Sequence, residues 1–270
     1  MTILILLEGN IKMIKLEHVV LASPEQMEFI IEGCRNPLNS WAKSDSGAGC
    51  YITEDDSVVN KEKYSVGSVA ARCETCTWCE PLCYGEPERR SYILGENDHS
   101  LMQRLANAGT DHRKFMRMMP VYVRITAPLY WWKEFDTYKV GTVANSCSTM
   151  HKIHTKEFKL EDFSTDHLNI AGINCLKTTI TALNNCRSAY VEDGEFKGNK
   201  EVWWQMIQLL PSSYNQTRNV MLNYEVLANI YKSRKNHRLD EWVEFCSWVK
   251  DLPYQELITG ETDERTMERN

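Results

Sequence analysis

The sequence lacks any apolar run of the roughly 18–20 residues that a membrane-spanning helix needs. Its first apolar stretch, residues 1–7, has no basic residue before it and no small-residue cleavage site after it, so we expect no signal peptide. A P-loop, a Rossmann glycine fingerprint and a G-x-S-x-G elbow are also missing. P-loop hydrolysis, nicotinamide binding by a Rossmann unit and serine hydrolase chemistry therefore have no support, and we expect a soluble, cytoplasmic protein.

Long basic stretches are missing too. The 270 residues carry a net charge of −6, and no segment concentrates lysine and arginine as a nucleic-acid site would. We therefore expect neither a nucleic-acid nor a membrane partner. A composition of 43% hydrophobic and 25% charged residues is that of a globular protein.

The ten cysteines indicate a reducing compartment and free thiols, because no secretory signal accompanies them. Four of them form one C-x2-C-x2-C-x3-C run: Cys73, Cys76, Cys79 and Cys83. Four thiols at this spacing can bind zinc or an iron–sulfur cluster. The run is single and has no proline after its last cysteine, which favours zinc over a cluster, with Cys50 as a further candidate ligand. The alternative is a loop that carries thiols without metal.

Apolar periodicity predicts an α+β fold. We expect a strand over residues 15–22, and then a helix that Ser23 caps and Pro24 opens. A second strand is predicted over 118–127, and an aromatic helix follows Pro128. Four more helices are predicted at 176–191, 200–210, 224–235 and 239–251.

The domain boundaries follow from where this pattern weakens. Residues 1–12 are expected to be an N-terminal extension, 13–253 a single domain, and 254–270 a polar tail. Within the domain, residues 44–97 are predicted to form a cysteine-rich insertion with a strand near 64–71.

Four segments have spacings found in the flavin-dependent thymidylate synthases. Residues 108–115, AGTDHRKF, are similar to G-H-x-(S/T)-P-F-E-H, and residues 138–151, YKVGTVANSCSTMH, to the flavin-binding R-H-R-x-x-S-x-N-x-x-S-x-R-Y. Residues 206–211, MIQLLP, are similar to A-R-x-x-L-P, and residues 223–234 to N-x-R-x-x-x-H/N-F-x-x-x-R. The chain thus resembles this family over most of residues 14–253, with the cysteine-rich region as a gap.

The resemblance implies a ThyX-like fold, an antiparallel sheet packed with helices, and an active site between the subunits of a homotetramer. It implies FAD as cofactor and a pyrimidine nucleotide and a folate as ligands. In the family, reduced flavin supplies hydride, methylenetetrahydrofolate supplies the carbon, and C5 of deoxyuridylate is methylated. It assigns nucleotide binding to Arg234 and Ser148, and flavin binding to Lys139, Asn145, Asn223 and Asn229.

Two further candidates come from local charge. His112 and Arg113 stand beside Lys114 and Arg117, and such a cluster either receives a phosphate or forms an exposed basic surface. On the late helix, the spacing of the two asparagines and Arg234 would let all three approach one wall of a cleft. No catalytic residue is assigned.

Several family arginines are replaced, at Tyr138, Val140, Met150, Ile207 and Glu225. Each charged hydrogen bond lost at a phosphate site costs roughly 1.5–3 kcal/mol. Two functions therefore remain: a flavin-dependent, thymidylate-synthase-like transferase that methylates or otherwise modifies a pyrimidine deoxynucleotide, and a catalytically inactive nucleotide-binding or regulatory protein on the same scaffold.

Aromatic side chains give a separate reason to expect association. Two clusters of large rings, Tyr130-Trp131-Trp132 and Trp203-Trp204, are too many for one small core if neighbouring helical residues point about 100° apart. They predict a subunit interface, with stacking on a ligand ring as the alternative.

Overall fold

The computed structural model describes residues 14–50 and 90–261. Its strands are β1 Lys15–Leu21, β2 Gly47–Cys50, β3 Arg90–Ile93, β4 Pro120–Pro128, β5 Val143–Ser146 and β6 Asn215–Asn223. Its helices are α1 Pro24–Arg35, α2 Glu96–Asn107, α3 Leu129–Phe135, α4 Thr149–Lys152, α5 Ile170–Val191, α6 Lys200–Leu209, α7 Tyr224–Arg234, α8 Asp240–Lys250 and α9 Glu256–Thr259. Short 3-10 helices include Trp41–Lys43 and Lys114–Met118.

The strands form two sheets. The larger has four strands in the order β1-β4-β6-β5, and the smaller is the antiparallel pair β2 and β3, in which Gly47 lies opposite Ile93. Helices and antiparallel sheet together confirm the predicted α+β class.

Side-chain caps fix where the main helices begin. Ser23 caps α1 in a capping box with Gln26, and Pro24 occupies the first turn. Asn223 ends β6 and caps α7, because its Oδ1 accepts the Val226 amide at 3.0 Å. This cap fixes the start of α7, the helix that carries the candidate ligand residues Asn229 and Arg234.

The chain divides into two compact units. The first unit comprises Met1–His18, Val123–Lys139 and Val143–Val220. Its α3 buries Trp131 and Trp132, which are at most 1% exposed and pack with Phe135. A second cluster fills the space between α5 and α6 with Leu176, Ile180, Leu183, Met206, Ile153, Phe158 and Phe163.

The second unit comprises Val19–Tyr122, Val140–Thr142 and Met221–Asn270. Helix α7 lies at its centre: seven of its residues are buried, and it packs against α8, α9 and the 3-10 helix Lys114–Met118. Elsewhere in this unit, α1 packs against α2 and the β2–β3 pair.

Most predicted elements are confirmed, including β1, α1, β4 and the helices that became α6, α7 and α8. Strands β5 and β6 and the start of α5 at Ile170 were not predicted. The aromatic argument was wrong for Trp131 and Trp132, because both lie in this chain's own core. The strand predicted near 64–71 lies outside the described residues. Among those that are described, no helix is long and apolar enough to cross a bilayer.

Candidate functional site

A tight turn brings the predicted basic cluster to α7. Gly109, just after α2, has a φ of 102°, a left-handed value that favours glycine. Its carbonyl accepts the backbone amides of His112 and Arg113, both at 3.1 Å. A further backbone bond, from the Tyr224 amide to the Met119 carbonyl at 3.2 Å, ties the end of this segment to the start of α7.

Arg113 lies against two α7 side chains. Its Nε is 2.7 Å from Oε2 of Glu225, and its Nη2 donates to Oδ1 of Asn229 at 3.1 Å. The Nε–Oε2 contact is an ion pair without hydrogen-bond geometry. Both atoms are buried, and neither has a hydrogen-bond partner within the described chain. Coulomb attraction does not depend on that angle, so the pair still orients the guanidinium.

Glu225 therefore reduces the positive charge that the basic cluster can offer to a phosphate. It occupies a position where the family has an arginine, and it compensates the charge of a candidate phosphate ligand, Arg113. The Glu225 side chain is 8% exposed and that of Arg113 is 20% exposed, so water screens this pair only partly. Sequence reasoning noted the replacement but missed the pairing.

The other basic residues of the cluster remain exposed. His112, Lys114 and Arg117 have no ion-pair or hydrogen-bonding side-chain partner within residues 14–50 and 90–261. Three exposed cationic or titratable groups next to Arg113 are compatible with a phosphate, as the sequence predicted, and also with a solvated basic surface.

Asn223 has a structural task that the sequence did not reveal. Its side-chain oxygen caps α7, and its Nδ2 lies against Gly141, where an added Cβ would come within 3.1 Å of it. Gly141 has a φ of 80°, so both its conformation and this close approach require glycine.

Arg234 has partners of its own at the far end of α7. Its Nη1 lies 2.9 Å from Nε2 of His237, and its guanidinium lies over the ring of Trp242 at 5.0 Å from the centroid. Five residues along a helix turn by about 140°, so Asn229 and Arg234 point away from one another. The structure groups Arg113 with Asn229 and places Arg234 in a different environment.

In the first unit, the three predicted ligand residues are exposed. Lys139 follows α3, Asn145 lies in the edge strand β5, and Ser148 caps α4 by accepting the His151 amide at 3.0 Å. Ser148 is therefore a helix cap whose hydroxyl also faces solvent, and Lys139 and Asn145 remain open to a ligand.

Strand β6 anchors both ends of the segment that carries Lys139 and Asn145. At the start of this segment, Asp136 accepts a hydrogen bond from Nη1 of the β6 residue Arg218 at 2.7 Å. At its end, the Cys147 amide donates to the Thr217 carbonyl and the Cys147 carbonyl accepts from Nε2 of Gln216, both at 3.0 Å. Sequence reasoning missed all three β6 residues.

Hydrogen bonds and an aromatic ring fix the orientation of the Arg218 side chain. Its Nε donates to Oε1 of Gln216 at 2.9 Å, and its guanidinium carbon lies 4.1 Å from the ring centroid of Trp132. The indole of Trp132 in turn donates to the Gln216 carbonyl at 2.9 Å. A stacked, doubly bonded arginine of this kind is a rigid support.

The predicted metal site lies outside the described residues, because these do not include Cys73, Cys76, Cys79 and Cys83. Within the parts of the chain that are described, no group of three or more His, Cys, Asp or Glu side chains could hold a metal ion. Zinc at the cysteine run stays a prediction.

Comparison with known proteins points to one fold. No family model matches the sequence, and no curated protein is significantly similar to it. Two structures of thymidylate synthase X from Helicobacter pylori, both with FAD and dUMP, are 14% and 15% identical to this chain with TM-scores of 0.52 and 0.53. Each match covers 92% of this chain, and 96% and 97% of the other. The fold is thus similar to that of the flavin-dependent thymidylate synthases.

Proposed function

We propose that this protein is a flavin-dependent, thymidylate-synthase-like enzyme that modifies a pyrimidine deoxynucleotide. The observation that carries the proposal is the likeness of fold over nearly the whole chain to structures solved with FAD and dUMP. Three of the candidate ligand residues, Lys139, Asn145 and Ser148, support it by their chemical types and by their exposure. The methyl donor in this proposal is a folate.

The residues present fit a flavin by donor type. Exposed Lys139 offers a cation for the cofactor's phosphates, and Asn145 offers an amide for the edge of its ring system. The flavin, when bound, supplies the hydride chemistry. The protein's own contribution is to hold these groups in place, which is the task of the β6 anchor at Gln216 and Arg218.

For the nucleotide, we propose that phosphate binds beside His112, Lys114 and Arg113. In this arrangement Asn229 and Glu225 fix the guanidinium of Arg113, and its remaining N–H groups face the ligand. Ser148 and Arg234 are proposed as further nucleotide contacts on the strength of the resemblance.

A second function is favoured by one specific observation, the Arg113–Glu225 pair. A carboxylate opposite a candidate phosphate ligand weakens dianion binding, and no arginine remains in residues 138–151. These features fit a protein that binds a nucleotide without catalysing its modification.

Spectroscopy and calorimetry on the full chain separate the two functions. The enzyme predicts flavin absorbance in the purified protein or saturable FAD binding, together with dUMP binding and methyl transfer from methylenetetrahydrofolate. The inactive protein predicts dUMP binding without turnover. If neither FAD nor dUMP binds to protein with a cooperative melting transition, both functions are wrong.

A variant at Arg234 tests one assigned contact within the same assay. Arg234→Ala is expected to weaken dUMP binding by about 10-fold or more, because a charged hydrogen bond is lost. Its loss also removes the contacts to Trp242 and His237, so the melting temperature must be measured alongside. Equal dUMP affinity in wild type and variant would remove Arg234 from the site.

A further inference from the structure

The second unit contains a cavity of about 240 Å³ that none of the functions above uses. Helix α1 contributes one wall, the segment from Trp41 to Ser46 another, and Tyr92 of β3 the third. The lining residues are Glu28, Ile31, Glu32, Arg35, Trp41, Ser44, Ser46 and Tyr92. This volume is below the roughly 300–1,000 Å³ that is usual for ligand sites, so only a compact molecule would fit.

Arg35 in this cavity has a donor without an acceptor. Its side chain is 6% exposed, its Nε donates to Oδ1 of Asp98 at 2.6 Å, and its Nη1 reaches Oγ of Ser40 at 3.4 Å. Its Nη2 is buried and has no hydrogen-bond acceptor in the described ranges. A buried donor without an acceptor is unfavourable, and a ligand carrying an acceptor would relieve this cost.

Asp98 cancels the charge of Arg35 and is fully used by the protein. Its Oδ2 accepts from the hydroxyls of Ser44 and Ser46 at 2.7 Å each, and from the amides of Asp45 and Ser46 at 3.0 and 3.1 Å. The charge that remains on the cavity wall is therefore that of its two glutamates.

Those two carboxylates face the cavity from one side of α1. Glu28 and Glu32 are four residues apart, so they are neighbours on the helix surface. Neither has an ion-pair partner among the residues that the structure describes. A cationic group between them would gain two charge-assisted hydrogen bonds.

Two aromatic rings line the remaining walls of the cavity, which stays partly open to solvent. Trp41 is 51% exposed, and a hydrogen bond of 2.7 Å from its Nε1 to Oδ1 of Asn36 holds its ring. Burial raises the pKa of Tyr92 to about 12, so its phenol stays neutral at physiological pH. Rings next to carboxylates favour an ammonium group, and they also pack against an apolar substituent.

We propose that this cavity binds a small zwitterion of the amino-acid class. Its ammonium lies between Glu28 and Glu32, its carboxylate accepts from Nη2 of Arg35 once the guanidinium turns this group into the cavity, and its apolar side chain packs against Trp41 and Tyr92. The proposal does not depend on the flavin or nucleotide sites.

Three matched probes test it by calorimetry on the full chain: leucine, leucinamide and N-acetylleucine. Leucinamide lacks the carboxylate, and N-acetylleucine lacks the ammonium. We expect leucine to saturate the protein and each analogue to bind at least about 10-fold more weakly, since each loses one charge-assisted contact. The proposal is overturned if leucine does not saturate by about 20 mM, or if either analogue binds as well as leucine.

Variants show whether such binding occurs in this cavity. Glu28→Gln combined with Glu32→Gln is expected to weaken leucine binding by about 10-fold or more but not to weaken the binding of N-acetylleucine, which has no ammonium and is repelled by both carboxylates. Glu25→Gln, on the same helix but outside the cavity, is the control and should bind leucine like wild type. Unchanged leucine affinity in a folded double variant would rule out the cavity.

Discussion

Glu225 decides how much positive charge the basic cluster can offer to a ligand. Its carboxylate lies 2.7 Å from Nε of Arg113, and both side chains are largely shielded from water. An ion pair in such a setting is stronger than one at the surface, and it competes with any phosphate for the same guanidinium. The charge of one residue thus sets the type of ligand that Arg113 favours.

The variant Glu225→Gln tests this competition. It removes the negative charge while keeping the size of the side chain, and Asn229 still holds Arg113, so we expect dUMP to bind about 10-fold more tightly, or about 1.4 kcal/mol. The gain should shrink as salt is raised, because it is electrostatic. Calorimetry at low and high salt measures it.

Glu96→Gln provides the control for Glu225→Gln, since it makes the same charge change at an exposed position on α2. Weaker dUMP binding in Glu225→Gln than in wild type would mean that Glu225 holds Arg113 in place and does not compete for it.

At the scale of elements, the sequence predicts what local chemistry determines. Ser23 and Pro24 predict the start of α1. The alternation of Val121, Val123 and Ile125, all at most 2% exposed, predicts the strand β4. These signals need no distant partner.

Strand β6 escaped prediction for a physical reason. The side chains on its inward face are Gln216, Arg218, Val220 and Leu222. Two of these four are polar, so the alternation of apolar and polar residues that predicts a strand is interrupted. Those polar residues are the ones that anchor Asp136 and Cys147. The site was predicted only in part, for a different reason. Arg113 and Asn229 were both named, but their contact joins residues 116 positions apart, which local sequence patterns do not show.

Arg218→Met tests whether the β6 anchor supports cofactor binding. Loss of the bond to Asp136 and of the bond to Gln216 frees the start of the segment that carries Lys139. We expect FAD to bind about 10-fold more weakly, because a misplaced ligand residue loses its contact. Fluorescence titration of FAD measures this effect.

Two comparisons make the Arg218 result specific. Arg218→Lys keeps the charge but not both bonds, so its FAD affinity should fall between that of wild type and that of Arg218→Met. Lys133→Met, at an exposed position on α3, should bind FAD normally. The anchor has no part in cofactor binding if a folded Arg218→Met protein binds FAD like wild type.

At the scale of the whole molecule, stability depends on keeping both partners of the buried Arg35–Asp98 pair. Asp98 is 1% exposed and joins α1 to α2 and to the segment Ser44–Ser46. Asp98→Asn leaves Arg35 as a buried, unpaired charge, which costs about 3–5 kcal/mol in free energy of unfolding. Urea denaturation at neutral pH measures this loss, with the exposed Asp111→Asn as control.

The same residue makes stability depend on pH. Burial alone would raise the pKa of Asp98, but hydrogen bonds from Ser46, Ser44 and Arg35 outweigh it and hold the pKa below its ordinary value of 3.8. The contribution of a group with a lowered pKa is complete above the ordinary value and is lost as pH falls towards the folded-state value. Wild type should therefore lose more stability than Asp98→Asn between pH 5 and about pH 3; equal losses would contradict this assignment.

Assembly of the chain is expected from apolar side chains in and around α5 and α6 and not from the tryptophans of α3, which are buried. Only Leu176, Ile180 and Leu183 are buried along the 22 residues of α5. Exposed apolar side chains remain in the same unit: Leu168 at 42%, Ile170 at 82%, Phe196 at 49% and Trp204 at 37%. These four side chains are the candidates for a subunit contact in this unit, and we expect the chain to associate, as the resemblance to homotetramers also implies.

Light scattering behind a sizing column should give a mass near four times 31.4 kDa at micromolar concentration. Ile170→Lys combined with Phe196→Lys should lower that mass, because a charge at a desolvated interface is costly. Leu38→Lys, at a position 59% exposed in the second unit, should leave it unchanged. A wild-type mass near that of one chain would rule out both the oligomer and any active site shared between subunits, since each site would then lack the residues that a neighbouring subunit supplies.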